Sequence, residues 1–209
     1  MKLRRALPLL GTLVAVSVSL AFALPVGQDK APPREAFTGT YGIDSVHSTV
    51  IFRIKHLDTS YSYGRFNEVT GNFSYDVAKP ENSKVTVEIA VETLDTGTDK
   101  RDAHLKSPDF FDAVQFPVAT FTSKSVKKSG DKKLAVAGDL GLHGVKKPVT
   151  LEIEETGASD SQKTGVRVGF HGTMTLKRSD FGMNFMQGAV GDEVNLTVSI
   201  EAQKTDGAR

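Results

Sequence analysis

Histidine is the side chain in this sequence that is best suited to acid–base or metal chemistry. A metal site needs three or four converging donors, and two ligands on one element usually lie two residues apart in a strand or four apart in a helix. No two of the five histidines have either spacing. The sequence therefore favours hydrogen-bonding roles and predicts no metal site, although a bulge or loop could bring distant histidines together. The histidines are His47, His56, His104, His143 and His171.

Arg101, Asp102 and His104 place three functional groups within one helical turn. In one interpretation Arg101 and His104 orient the head group of a ligand at the mouth of a cavity, and in the other the cluster caps and fixes a helix. Asp44 with His47 allows the same two interpretations. A structural role is favoured for that pair because paired charges commonly stabilise strand ends and turns. The candidates for head-group contacts are Arg101, His104, Asp44 and His47.

Motifs of the common catalytic and cofactor sites do not occur in the sequence. It has no cysteine, no Gly-x-Ser-x-Gly element and no glycine-rich phosphate loop after a strand. The formal net charge is +1, without the concentrated basic excess that neutralises nucleic-acid phosphates. We therefore expect no enzyme activity, no catalytic residue, no cofactor and no nucleic-acid partner.

The first residues are typical of an export signal. A basic start without acids precedes an apolar run from Ala6 to Ala23, which ends in the small-residue pattern Ala21-Phe22-Ala23. We predict a signal peptide over residues 1–23, cleaved after Ala23, and a periplasmic or secreted protein; an uncleaved membrane anchor is the alternative. The proline-rich residues 24–39 predict a disordered linker, and the domain is expected over residues 40–205.

Alternation of apolar and polar residues, with a period of two, recurs along the rest of the chain and predicts an all-β fold. Short connections favour an up-and-down antiparallel meander, and closure into a β-barrel removes the exposed edges of the sheet. An immunoglobulin-like sandwich is the rival architecture. One or two short helices are expected between strands 3 and 4. The eight strands are predicted over residues 40–56, 62–77, 83–92, 117–127, 132–144, 148–157, 164–178 and 193–204.

An eight-stranded barrel either fills its interior with side chains or holds one small ligand, and periodicity alone leaves both outcomes open. Rings and thioethers in the loops could form a core plug or a lid that adapts to a chain-like apolar ligand. The inward ligand-binding candidates are Val50, Phe52, Ile54, Phe73, Val87, Ile89, Leu140, Phe170 and Met174. The loop candidates are Phe110, Phe111, Phe121, Phe181, Met183 and Phe185.

Four sequence blocks, in order and spread over nearly the whole domain, resemble the YceI-like family. The resemblance implies a lipocalin-like barrel of eight antiparallel strands that is exported and holds a long isoprenoid or similar lipid chain. It also implies homodimers in some members. The blocks are Tyr41-x-Ile43-Asp44-x-x-His47-Ser48-x-Val50-x-Phe52-x-Ile54-x-His56, Arg101-Asp102-x-His104-Leu105-x-Ser107-x-Asp109-Phe110-Phe111-Asp112 with Phe116-Pro117, Gly138-Asp139-Leu140-x-x-His143-Gly144-Val145-x-Lys147-Pro148-Val149 and Arg178-Ser179-Asp180-Phe181-Gly182.

The resulting hypothesis is an exported, non-enzymatic lipid-binding protein. It would transport, store or sequester an isoprenoid such as a polyprenyl phosphate or an isoprenoid quinone, with transient contact to a membrane or membrane protein. The alternative is a histidine-dependent metal-binding or redox accessory protein that uses His47, His104 or His143. A third hypothesis is a structural protein whose barrel is filled by its own side chains.

Overall fold

The computed structural model describes residues 32–206. The predicted signal peptide and residues 24–31 of the predicted linker lie outside the described residues. Among those that are described, no helix has the length and apolarity needed to span a bilayer.

Within residues 32–206, eleven β-strands make up a single antiparallel sheet. Most of them follow the predicted alternation, because inward positions carry Val, Ile, Leu or Phe and outward positions carry polar side chains. The strands are β1 (Gly39–Ile43), β2 (Thr49–His56), β3 (Ser60–Phe66), β4 (Val69–Tyr75), β5 (Lys84–Ala90), β6 (Leu94–Asp95), β7 (Val118–Gly130), β8 (Lys133–Leu142), β9 (Val145–Ser161), β10 (Gly165–Lys177) and β11 (Val190–Lys204).

The sheet closes because β11 pairs with β10 on one side and with both β1 and β2 on the other. β1 and β2 act as one long strand that is interrupted at residues 44–48, and β3 and β4 act as a second one. β5 and β6 form a third joined strand, since β5 pairs with β4 and β6 with β3. With these three joined strands the barrel has eight antiparallel members, each hydrogen-bonded to the next in sequence. The predicted eight-stranded up-and-down barrel is confirmed, and an open two-sheet sandwich is excluded.

One α-helix, α1 (Asp99–Lys106), lies between β6 and β7. It is anchored through Thr96, whose main-chain N–H donates to Oδ1 of Asp102 at 2.9 Å, and whose carbonyl accepts from Arg101 at 2.7 Å. Of the one or two short helices expected between strands 3 and 4, this one is present, and it is followed by a series of turns. Ser107 ends α1, where its hydroxyl donates to the carbonyl of His104 at 2.7 Å.

Residues 32–38 are ordered, contrary to the predicted disordered linker. Arg34–Phe37 forms a turn of 3-10 helix and Phe37 is buried in the barrel core. The hydroxyl of Tyr41 donates to the carbonyl of Phe37 at 2.7 Å, and Nζ of Lys204 donates to the carbonyl of Thr38 at 2.6 Å. The segment is fixed because the barrel supplies both a core for one ring and donors for its carbonyls, which composition alone does not show. The other 3-10 turns of the described part of the chain are Pro80–Asn82, Val91–Thr93 and Arg178–Phe181.

The barrel half beside Phe37 is filled mainly by aromatic rings. Tyr41 stacks on Phe73 with ring centroids 5.3 Å apart, and Phe170 meets Phe73 and Tyr75 edge-on at 5.6 and 5.3 Å. Burial raises the pKa of Tyr41 to about 12, with smaller contributions from Asp206 and Glu155. Side chains therefore occupy most of this half, and the larger space lies toward the other end of the strands.

Candidate functional site

A cavity of about 320 Å³ lies inside the barrel half that contains the C-terminal part of β2 and the N-terminal part of β11. The side chains of β2 alternate between the two faces of the sheet and form part of the cavity wall. Val50, Phe52 and Ile54 point inward, and Ile51 and Arg53 face solvent. The cavity reaches the surface, because exposed residues of the β2–β3 region also line it. Its apolar lining consists of Val50, Phe52, Ile54, Phe66, Ile89, Leu105, Phe110, Phe111, Ala119, Leu140, Leu142, Leu176, Met183, Met186, Val190, Val194 and Leu196.

Gly64 on β3 makes room for one wall of this cavity. A Cβ atom at position 64 would lie 2.4 Å from Cζ of Phe52, which is far inside van der Waals contact. The ring of Phe52 therefore occupies the space above the glycine and meets Phe66 at a centroid distance of 5.9 Å. A residue without a side chain is required here for the cavity to keep its shape.

The side chains at the mouth of the cavity come from α1, from the turns after it and from the loop between β10 and β11. His104, Phe110 and Phe185 form a triangle of edge-on rings with centroids 5.1, 5.4 and 5.5 Å apart. Nε2 of His104 also lies 2.9 Å from Oδ2 of Asp109. His104 thus fixes the local structure and lines the cavity at the same time, so the two sequence interpretations of this residue are compatible.

Arg178 belongs to the fourth block of the family resemblance but was not among the predicted ligand-binding or head-group residues. It is only 3% exposed, lines the cavity and begins the 3-10 turn after β10. Within the described residues its hydrogen bonds all go to main-chain carbonyls, and burial lowers the pKa of its guanidinium. These acceptors are the carbonyl oxygens of Met183, Phe185, Val190 and Gly191, at 2.7 to 3.0 Å. Arg178 therefore organises the loop that borders the mouth.

The cavity lining carries five basic but no acidic side chains among the described residues, although Lys55 and His104 have carboxylate partners, Asp58 and Asp109, just outside it. Nε of Arg101 donates to Oγ1 of Thr96 at 2.7 Å, so this guanidinium is positioned without a carboxylate partner in the described chain. Such a mouth favours a ligand whose polar end is anionic or accepts hydrogen bonds. The basic residues are Lys55, His56, Arg101, His104 and Arg178.

A second, smaller cavity of about 90 Å³ lies in the aromatic half of the barrel. Four of the predicted ligand-binding residues line this space and not the larger one: Phe73, Val87, Phe121 and Phe170. Eight others line the larger cavity: Val50, Phe52, Ile54, Ile89, Phe110, Phe111, Leu140 and Met183. The predicted residues that line a cavity are therefore divided between two spaces and do not surround a common one.

Three predicted ligand-binding residues lie beside the cavities without being part of either lining. Phe181 is buried in the core and is 2% exposed, and Met174 packs against the cluster that contains it. Phe185 is 40% exposed and covers Phe110 at the mouth. Contact between a ligand and any of the predicted residues remains a prediction.

Asp44 and His47 lie on the outside of the barrel, close to Glu201 near the C-terminal end of β11. The larger cavity is lined instead by residues from the N-terminal half of the same strand. The structure therefore does not bring Asp44 and His47 together with Arg101 and His104. Nη1 of Arg167 donates to Oδ2 of Asp44 at 2.7 Å and to Oε1 of Glu201 at 2.6 Å.

The outer cluster of Asp44, His47 and Glu201 also has donor atoms close enough together to suit a metal ion. The guanidinium of Arg167 already bridges the two carboxylates, so a positive charge stands where a metal would bind. The hydrogen bond from Arg167, followed by that with His47, holds the pKa of Asp44 well below its usual range. This geometry supports the structural interpretation of the cluster.

Comparison with known proteins agrees with the fold and places the chain in a family. A YceI-like domain model matches residues 41–202. Protein YceI of Escherichia coli O6:H1 is 43% identical over 168 residues, which cover 79% of this chain and 87% of that protein. The crystal structure of Burkholderia cenocepacia BcnA aligns with a TM-score of 0.71 and 25% identity, over 77% of this chain and 99% of that one.

A more distant structure shares the same architecture. A polyisoprenoid binding domain from Saccharophagus degradans, described as implicated in plant cell wall breakdown, aligns with a TM-score of 0.60 at 16% identity. The alignment covers 79% of this chain and 98% of that domain, and at this identity it shows a common fold. With the family model matched over most of the barrel, the chain belongs to the YceI-like family.

Proposed function

We propose that this protein is a lipid carrier that holds the tail of an isoprenoid or similar long-chain amphiphile in the larger cavity, with the polar head at the basic mouth. The observation that carries the proposal is the cavity itself, about 320 Å³ with an almost entirely apolar wall that reaches the surface beside cationic side chains. Membership of the family and the shared fold with a polyisoprenoid binding domain support it.

The binding energy would come from burial of the tail. Each buried methylene contributes about 0.8 kcal/mol, so about ten of them contribute about 8 kcal/mol before the loss of ligand freedom. Such burial needs no reactive side chain, and we propose a binding role without catalysis. The head group stays at the mouth because an ionised group buried deep among the apolar side chains would lose its hydration without compensation.

The mouth discriminates between the two ligand classes under consideration. A polyprenyl phosphate offers several strong acceptors to Arg101 and its basic neighbours, whereas an isoprenoid quinone offers neutral carbonyls. The one-sided charge of the lining favours the phosphate. Export by the predicted signal peptide would put the carrier in the periplasm or outside the cell. There it would transport, store or sequester a poorly water-soluble lipid and would contact membranes transiently.

Mass spectrometry of organic extracts from gently purified protein tests this proposal. We expect an isoprenoid or other long-chain lipid in stoichiometric amount. Ile89→Asp, which puts a carboxylate on the cavity wall, should abolish the bound lipid, whereas the matched control Ile51→Asp on the outer face of β2 should retain it. Protein that retains its fold but carries no lipid, and takes up none from added prenols, would contradict the carrier function.

A further inference from the structure

The two cavities lie one after the other inside the same barrel and are bounded by the same strands. On β5, Ile89 lines the larger cavity and Val87 the smaller one. On β11, Leu196 lines the larger cavity, and Val198, the next inward residue, lines the smaller one. Successive inward residues on one strand are about 7 Å apart, so the two spaces are separated by roughly one layer of side chains.

Phe121 on β7 occupies that layer. Its backbone pairs with Leu140 of β8, which lines the larger cavity, but its ring is part of the wall of the smaller one. The ring leans along the sheet over Gly138, since a Cβ atom there would lie 2.7 Å from Cζ of Phe121. The side chain therefore lies at the boundary between the two cavities.

The neighbours of Phe121 show why this one ring matters. Two residues earlier on β7, Ala119 leaves open space on the wall of the larger cavity. On β10, Met174 lies between Leu176, which lines the larger cavity, and Gly172, which lines the smaller one. Phe121 and Met174 both carry large side chains that can change rotamer, and the absence of a side chain at Gly138 gives the ring a place to lie.

We propose that Phe121 sets the length of tail that the barrel accepts. With the ring over Gly138 the tail ends in the larger cavity. Rotation of the ring joins the smaller cavity to the larger one and admits longer tails, so the closed ring favours shorter isoprenoids. This inference rests on the proposed lipid-binding function and adds a specificity-determining residue to it.

The experiment compares farnesol with geranylgeraniol, two prenols with the same neutral head and tails that differ by one isoprene unit. Dissociation constants would be measured for the wild-type protein and for Phe121→Ala and Phe121→Leu. We expect Phe121→Ala to shift the preference toward geranylgeraniol by about tenfold relative to the wild type, because the new space receives the additional isoprene unit. Phe121→Leu, which keeps a large apolar side chain and protects the fold, should shift it in the same direction by less.

Leu134→Ala is the matched control, because Leu134 lines the smaller cavity on β8 but lies beyond the layer of Phe121. The substitution enlarges the smaller cavity but leaves the ring of Phe121 between the two cavities. The preference between the two prenols should therefore stay at the wild-type value. An unchanged preference in both Phe121 variants, or an equal shift in Leu134→Ala, would overturn the role of Phe121 while leaving lipid binding intact. If the wild-type protein binds neither prenol, the proposed function fails together with it.

Discussion

Nη1 of Arg178 donates a 2.7 Å hydrogen bond to the carbonyl of Met183, whose side chain lines the larger cavity. The buried guanidinium thus connects the end of β10 with the loop before β11 and determines where the mouth residues lie. A charged group can be buried without a contacting carboxylate when carbonyl oxygens take its hydrogen atoms, although desolvation still acts on it. The loop and the arginine consequently stabilise each other.

Replacing Arg178 with methionine should therefore loosen the mouth. The substitution keeps much of the apolar stem but removes donors from four carbonyls, and we expect a loss of about 3 kcal/mol in the free energy of unfolding. Hydrogen exchange should become faster in residues 183–191. Arg53→Met, on the outer face of β2, is the control and should change stability by less than about 1 kcal/mol. Unchanged exchange in the loop would show that Arg178 does not hold it.

Asp44 gives a prediction about acid stability. Because its pKa is depressed in the folded state, chiefly by the hydrogen bond from Arg167, its contribution to stability is present above the unfolded pKa near 3.8. The contribution disappears as the pH falls toward the lower folded value. Urea unfolding at pH 7, 5 and 3 should therefore show a stability advantage of the wild type over Asp44→Asn that shrinks at pH 3.

The control for this measurement is Asp58→Asn, since Asp58 is 93% exposed and its nearest cation, Nζ of Lys55, is 3.6 Å away. An exposed pair of this kind contributes little at any pH. A difference between wild type and Asp44→Asn that stays constant from pH 7 to pH 3 would refute the role of the carboxylate charge.

The barrel was predictable because its strands are amphipathic over most of their length. In β2 the inward residues Val50, Phe52 and Ile54 alternate with outward ones, and the same period identified all eight members of the barrel. The break at residues 44–48 was missed: Val46 continues the apolar pattern, yet it is 84% exposed in a turn. Periodicity reports which residues can face a core and does not show where the chain leaves the sheet.

The site was predicted less completely. Thr49 and His56 are separated by about 23 Å along β2, so a residue count could have indicated that Asp44 and His47 lie far from the mouth. The division of the lumen had no comparable signal, because it depends on the direction of one ring over Gly138. Arg178 is part of the family resemblance, but its place beside the cavity was not predicted, because its partners are carbonyl oxygens, which carry no side-chain signature in the sequence.

Gly64 offers a test of cavity shape that leaves the ligand-facing residues unchanged. In Gly64→Ala the new Cβ would collide with Phe52, and the ring must move into the larger cavity or the sheet must shift. We expect a loss of about 1 to 3 kcal/mol in the free energy of unfolding, with reduced uptake of geranylgeraniol. Gly157→Ala is the control, since no atom lies within 4 Å of a Cβ built there. Equal lipid uptake by both variants would contradict the packing of Phe52 against Gly64.

Arg101 provides the test of the basic mouth, because it lines the cavity and its hydrogen bonds fix it to Thr96 without neutralising its charge. Affinities would be measured for geranylgeranyl phosphate and geranylgeraniol, which share a tail and differ in the head. The wild type should prefer the phosphate by about tenfold, a preference that decreases as salt is added. Arg101→Gln should reduce it several-fold and leave the affinity for the alcohol nearly unchanged.

Arg53→Gln on the outer face of β2 removes the same charge without changing the lining and should keep the wild-type preference. Because both ligands bury the same tail, the ratio of their affinities measures the contribution of the head group alone. A wild-type protein that binds phosphate and alcohol equally well, at low salt and with saturable uptake, would mean that the cationic mouth does not select the ligand. The head group would then be recognised by hydrogen bonding alone, which an isoprenoid quinone can also satisfy.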